Sequence, residues 1–486
     1  GHTHHPKHLG LLASLGMFFG RLGDHKLAIQ HWQRLVSLSP SNPDAWQALS
    51  AQYYLLHQWD RAEEAVSKAI KLAPGRGPLH TNLGRILRMQ RRHDEAINCL
   101  QKAVKLTPDD TDAWYELAMS TMENGEMEKA FEIFHSILKI DPRHAPSLSM
   151  LMRFNKATEQ SEVIKQAERL FNEPSEPEEN RALLAFSLGK SWEDLQEFDR
   201  SFAYYAEGNR IRRKNIAFNI EEELANTEEI KKIFTQKLFS ERRTDISNGE
   251  GLLFIVGMPR TGSTLLDKIL AAHPQVTDTG ETDELREVAG NLTGGNSNQI
   301  NLLAILQCSD GQLKDAADDY LARMRRFFGK SSYYIDKTLP NLWLIGFIHL
   351  IFPRAKIVHC TRNPLDNCFS IFSTDFEGSF FRFAYDLQDL GEYYRTYIDM
   401  MNHWRNVLPA EAFYEVSYES LIAAPEAESR SLVAFAGLEW DDACLNYRSS
   451  KGSVQTSSLA QVRQPIYKSS IERWKRYEKH LQPLVN

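Results

Sequence analysis

With 486 residues, 42% of them apolar, and a formal net charge of −7, the chain is long enough for two or three domains with substantial cores. The acidic balance excludes a nucleic-acid-coating protein, and no run approaches the roughly 18 apolar residues that span a membrane. Cys99, Cys308, Cys360, Cys368 and Cys444 are scattered without C-x-x-C spacing, which argues against a disulfide framework or structural zinc and fits a reducing, cytoplasmic compartment. The opening Gly1-His2-Thr3-His4-His5 has no signal-peptide core.

From Leu9 the chain recurs every 34 residues. Ala28, Ala62, Ala96 and Ala130 hold a small position, Pro40, Pro74, Pro108 and Pro142 a terminator, and Leu15, Leu49, Leu83 and Leu117 an apolar one; Trp46 and Trp114 share the first aromatic position. The alanine lets two helices approach and the proline ends the second helix, because it cannot donate the next backbone hydrogen bond. This register resembles tetratricopeptide repeats. Four units are clear, and Leu148, Leu151, Ala167, Leu188, Trp192 and Tyr205 extend degenerate ones, so residues 9–214 are expected to form an α-solenoid. Its concave face suits an extended protein, peptide or glycan partner, and its repeat residues read as core. Glu221 to Glu241 predicts one charged amphipathic helix within a linker over 215–250, with Asn248-Gly249 as a turn.

From Gly251 onward strands alternate with helices, which predicts a three-layer α/β domain with a parallel sheet over 251–486. The expected strands are Leu252–Val256, Val276–Thr279, Tyr333–Asp336, Ile357–Cys360 and Phe413–Ser417. Five polar residues follow them: Arg260, Glu281, Lys337, Arg362 and Tyr418. Ligands of open parallel sheets bind outside the carboxyl ends of the strands, so these side chains can converge on one crevice.

The first strand leads into Gly257-Met258-Pro259-Arg260-Thr261-Gly262-Ser263-Thr264, a strand, Gly-rich turn and helix start that together suit an anion. The spacing G-x4-G-S-T resembles a nucleotide P-loop, but Ser263 stands where that loop carries its lysine. A transferring sulfuryl group carries less charge than a γ-phosphoryl group, so the substitution favours a phosphosulfate donor over ATP and no metal requirement. Arg362-Asn363-Pro364 places an arginine at a second helix mouth, with Asn as N-cap and Pro at the first helical position. Ser370 lies two turns on.

FIVGMPRTGST and CTRNPLDNCFS resemble the two donor-binding motifs of the sulfotransferases that use 3′-phosphoadenosine 5′-phosphosulfate (PAPS), and most closely those of protein-tyrosine sulfotransferases. The resemblance covers roughly Gly251 to Tyr477. It implies a 5′-phosphosulfate loop at Pro259–Thr264, a 3′-phosphate site at Arg362 and Ser370, and a donor-contacting Tyr418. It also implies a catalytic base at Glu281 and a catalytic lysine at Lys337. Near Gln461-Val462-Arg463-Gln464-Pro465 the family closes a loop over the nucleotide; Gln464 stands where its lysine is usual, with Arg463 or Lys468 in substitution, and Ser453 maps onto a serine near the reacting group. The implied reaction is sulfuryl transfer from PAPS to an acceptor hydroxyl, leaving adenosine 3′,5′-bisphosphate. The acceptor stays open between a protein or peptide tyrosine and a saccharide or small molecule, beside a third reading as a repeat scaffold with a regulatory nucleotide domain.

Overall fold

A computed structural model describes residues 8–158, 160–242, 249–295, 300–376, 380–447 and 470–485. The chain divides into two compact units, residues 1–156 with 160–174, and a second that holds most of 175–486.

The first unit is a stack of helix pairs. Helices α1 (Leu9–Arg21), α3 (Pro43–Leu55), α5 (Gly77–Met89) and α7 (Thr111–Glu123) begin 34 residues apart, each followed by its partner: α2 (His25–Leu38), α4 (Trp59–Leu72), α6 (His93–Leu106) and α8 (Met127–Ile140). Ala28, Ala62, Ala96 and Ala130 are all fully buried where the paired helices meet. The terminator prolines each stand two residues past a second helix, and their carbonyls are used. Trp46 Nε1 donates to Pro40 O at 2.9 Å and Trp114 Nε1 to Pro108 O at 2.8 Å, while His80 Nε2 lies 3.0 Å from Pro74 O, so histidine fills the tryptophan position in the unit between. A shorter pair follows, α9 (Ala145–Phe154) and α10 (Glu162–Phe171).

The next pair, α11 (Glu178–Asp194) and α12 (Phe198–Arg213), is grouped with the second unit, although repeat periodicity alone extends the solenoid to 214. Phe186 and Tyr205 from this pair lie in the same core as Phe369 and Trp404. The single helix expected over Glu221–Glu241 is two, α13 (Ile220–Ile233) and α14 (Gln236–Glu241). The chain breaks between them because Phe234 turns fully into the core, and the Thr235 hydroxyl then caps Leu238 N–H at 3.2 Å.

The sheet contains β1 (Leu252–Gly257), β2 (Val276–Asp278), β3 (Tyr333–Asp336), β4 (Lys356–Thr361) and β5 (Phe413–Ser417), all parallel, in the order β2-β3-β1-β4-β5. Helices α15 (Ser263–Ala271), α16 (Glu284–Leu292), α17 (Leu302–Ile305), α18 (Asp310–Phe328), α19 (Ile345–Ile351), α20 (Pro364–Phe372), α21 (Leu387–Val407), α22 (Tyr418–Ala423) and α23 (Pro425–Phe435) connect and cover it. Strand alternation splits β1 between two cores: Leu252, Phe254 and Val256 face a layer with Tyr320, Phe347 and Trp404, whereas Leu253 and Ile255 face α15 and α23 through Leu266, Ile269 and Leu432. That double coverage is why β1 reads as an unbroken apolar run. Among the described residues no helix is long and apolar enough to cross a membrane.

Candidate active site

Read across the sheet, the carboxyl edge presents Glu281 after β2, Lys337 after β3, the Gly257–Thr264 loop after β1, Arg362 after β4 and Tyr418 after β5. The anion loop therefore occupies the centre of the edge, with the acidic residue to one side and the second arginine and the tyrosine to the other.

The loop's shape comes from backbone that side chains resist. Gly257 has φ 144°, and a Cβ there would stand 2.6 Å from the Cys360 carbonyl on β4; Gly262 has φ 92°, and a Cβ there would meet Tyr418 Cδ2 at 2.5 Å. Arg260 holds a left-handed φ of 67°, a conformation that costs a side-chain-bearing residue about 1–2 kcal/mol. The loop is tied from beneath. Asn367 Nδ2 donates to Pro259 O at 2.7 Å, Thr261 Oγ1 to Met258 O at 2.8 Å, and Cys360 Sγ to Thr261 O at 3.0 Å. Gly262 supplies no side-chain cap to α15, its carbonyl accepts from Leu265 N–H at 2.9 Å, and Ser263 and Thr264 are buried at the helix start, an N-terminus of the kind that suits an anion.

On the other side, Asn363 caps α20 by accepting from Asp366 N–H at 3.1 Å with Pro364 next in line, as the local sequence predicts. Arg362 is 9% exposed. Its Nη1 donates to Arg260 O at 3.0 Å and its Nη2 to Ser470 O at 2.6 Å, while Nε is buried without a hydrogen-bond partner among the described residues. Burial pushes this guanidinium's pKa down, and Asp366 opposes the shift. The guanidinium carbon lies 5.0 Å from the Tyr418 ring centroid; Tyr418 Oη is 3.0 Å from Ser470 Oγ, and Arg260 Nε is 3.4 Å from Ser370 Oγ. Arg260, Gly262, Arg362, Ser370 and Tyr418 are thus one contiguous group.

Glu281 and Lys337 form the opposite side. Lys337 Nζ sits 2.5 Å from Glu281 Oε1, with the lysine side chain 2% exposed and the glutamate side chain 54% exposed. Lys337 is therefore no solvated strand-end lysine: it is a buried cation whose charge is met by a carboxylate at the surface. Beside it, Asp336 is pushed up to about 6 by burial, although it accepts hydrogen bonds from Thr338, Tyr320 and Asn341.

Comparison with known proteins gives this edge its family. The sequence model described as "Sulfotransferase family" matches residues 253–442, from β1 past α23. Residues 253–442 of the second unit are a sulfotransferase-family domain. A second model, the tetratricopeptide domain of cytochrome c-type biogenesis protein H, matches residues 36–148 within the helix pairs. An uncharacterized protein of Aquifex aeolicus is 31% identical over 82% of this chain and 53% of its own length. Protein-tyrosine sulfotransferase 1 of Danio rerio is 25% identical over 46% of the chain and 65% of its own length, and a putative protein-tyrosine sulfotransferase of Caenorhabditis briggsae is 26% identical over 47% and 82%. The chain thus spans about half of the Aquifex relative and under two thirds of the zebrafish one.

Within the sulfotransferase domain, Pro259, Arg260, Thr261, Gly262, Ser263, Thr264, Arg362, Ser370 and Tyr418 lie on or beside the anion loop, and Glu281 and Lys337 on the β2–β3 side. Ser453, Arg463, Gln464 and Lys468, and the Asn248 half of the expected turn, lie outside the described residues. Sequence reasoning missed Asn367, which anchors the loop, and Ser470, which meets both Arg362 and Tyr418. Asn367 sits inside the CTRNPLDNCFS motif and was within reach; Ser470 carries no local signal.

Proposed function

We propose that this chain transfers a sulfuryl group from PAPS to an acceptor hydroxyl and releases adenosine 3′,5′-bisphosphate. The observation that carries the reading is the pair of anion-shaped elements on one sheet edge: a loop with left-handed backbone at Arg260 and Gly262 opening into an uncapped helix, and a buried Arg362 whose Nε lacks a partner among the described residues. A donor with a 5′-phosphosulfate and a separate 3′-phosphate fits that arrangement, the first on the loop and Arg260, the second on Arg362 and Ser370, with Tyr418 between them. Bound there, the donor supplies an electrophilic sulfur whose leaving group is a phosphate.

The protein groups do the rest. Glu281, half exposed, takes the proton from the incoming hydroxyl, a role worth about 10²–10⁴-fold for a positioned carboxylate. Lys337 orients that carboxylate and, with Arg260 and the loop amides, stabilises negative charge developing on the transferred group. Arg463, Lys468 and Ser453 are proposed donor-side groups on the strength of the family resemblance. We assign the acceptor to a protein or peptide tyrosine, a reading supported by the relatives named as protein-tyrosine sulfotransferases, and give the tetratricopeptide array the task of recruiting it.

The test is titration calorimetry with adenosine 3′,5′-bisphosphate in EDTA, followed by transfer of radiolabelled sulfate to a peptide, glycan and phenol panel. Binding and transfer to tyrosine peptides are expected without added metal. Tight binding of ATP–magnesium with no affinity for the bisphosphate refutes the donor; transfer to glycans alone replaces the acceptor; donor binding without any turnover favours the regulatory scaffold.

A further inference from the structure

Glu281 faces solvent, yet the backbone on both of its sides is held. Upstream, Gly280 N–H donates to Asp278 Oδ1 at 2.6 Å, and Gly280 O accepts from Lys337 N–H at 3.0 Å. Downstream, one hydroxyl grips one residue twice: Thr338 Oγ1 accepts from Thr282 N–H at 2.8 Å and donates to Thr282 O at 2.9 Å.

Each clamp is anchored. Asp336 Oδ1 accepts from Thr338 N–H at 3.0 Å and from Asn341 Nδ2 at 3.2 Å, with Asp336 and Thr338 both buried. Asp278 Oδ2 accepts from Lys268 Nζ at 2.7 Å, and Lys268, also buried, belongs to α15, the helix that the anion loop opens. The turn carrying Glu281 is thus bolted to the end of β3 through Thr338 and to the donor-loop helix through Asp278. A general base has to be held within about 0.5 Å of its working place, and a misplacement of about 1 Å costs up to about 100-fold in rate. A surface glutamate with a purely electrostatic role needs no such frame.

We propose that Thr338 and Asp278 are positioning residues for Glu281, fixing its backbone so that its carboxylate meets the acceptor hydroxyl, with Lys268 linking that place to the donor loop. This deepens the sulfuryl-transfer reading and rests on it. Thr338→Val keeps the side chain's size and removes both bonds to Thr282; Thr338→Ser keeps both. In the full chain, the valine variant is expected to lose about 10–100-fold in kcat with bisphosphate affinity within about twofold of wild type, and the serine variant to recover most of the rate. Amide exchange at Thr282, which needs no substrate, should be faster by at least about tenfold in the valine variant alone. Asp278→Asn weakens the upstream clamp and is expected to lower kcat in the same direction. Wild-type kcat in Thr338→Val, serine and valine variants that are equally slow, or unchanged exchange at Thr282 each overturn the positioning role. A wild-type chain that neither binds the bisphosphate nor transfers sulfate overturns the donor reading itself, and the base with it.

Discussion

Gly262→Ala offers a severe test of the proposed donor loop, because the structure supplies two separate costs. The first is backbone: at φ 92° an alanine sits where side-chain-bearing residues are strained by about 1–2 kcal/mol. The second is contact. The new methyl would lie 2.5 Å from Tyr418 Cδ2, so the ring has to retreat by nearly an ångström to reach an ordinary distance, and such overpacking costs about 1–3 kcal/mol. The sum is about 2–5 kcal/mol, shared between folding and ligand binding. The ring cannot retreat alone: its hydroxyl is 3.0 Å from Ser470 Oγ and the Arg362 guanidinium lies over its face, so the displacement spreads to the proposed 3′-phosphate site. The assay pairs thermal unfolding with bisphosphate calorimetry, and adds Gly262→Ala/Tyr418→Ala, which relieves the contact and leaves the backbone cost. Weakened bisphosphate binding and a lower melting temperature are expected, with stability partly regained in the double variant relative to the sum of the singles. A single variant that melts within about 1 °C of wild type and binds within about twofold refutes both the loop geometry and its part in donor binding.

Glu281→Gln is expected to cut kcat by about 10²–10⁴-fold and leave bisphosphate affinity nearly intact, whereas Arg362→Ala, losing a charged contact worth about 1.5–3 kcal/mol, weakens that affinity; the same kinetic phenotype in both would show the roles to be misassigned. Burial holds His349 down to about 4, below its unfolded value, so the unfolded chain binds more protons between about pH 6.5 and 4 and stability falls as pH falls through that window; His349→Leu should flatten the loss of melting temperature between pH 7.5 and 5. Arg473 Nε donates to Glu193 Oε1 at 2.5 Å in a largely buried pair, and Arg473→Ala, by stranding the carboxylate, is expected to destabilise the second unit by about 3–5 kcal/mol in denaturant titrations. A fragment that begins at Ser175, retaining Phe186, Tyr205 and Phe234 in its core, should bind the bisphosphate and sulfate a simple phenol while losing efficiency on a large acceptor; equal efficiency on that acceptor would remove the array from recruitment.

Much of the molecule was legible because its rules are local. Alanine and proline every 34 residues specify helix pairs without reference to anything distant, and five short strand-like stretches alternating with helices announce a parallel sheet. What escaped depends on distant partners. The pair α11–α12 resembles a repeat in its own pattern, yet the Tyr205 and Phe369 rings, 6.2 Å apart, place it with the sheet. Phe234 sits in a charged helical stretch, and only the core that receives it explains why the helix stops there. Lys337 could be given a place after β3 from sequence, but not its burial, which is set by the strands and helices that close over it.

Cys360 shows how the floor under the loop constrains experiment. Burial pushes its thiol up to about 12, so at neutral pH it stays protonated and donates to Thr261 O; thiolate, the form that reacts with alkylating and oxidising reagents, is all but absent. The cysteine nearest the candidate active site is therefore a poor handle for a reporter dye. Cys99, half-buried in the repeat array, is no better: burial pushes its thiol up to about 11 and it donates to His80 O at 3.3 Å, so a reporter dye on either unit calls for a cysteine introduced at an exposed position.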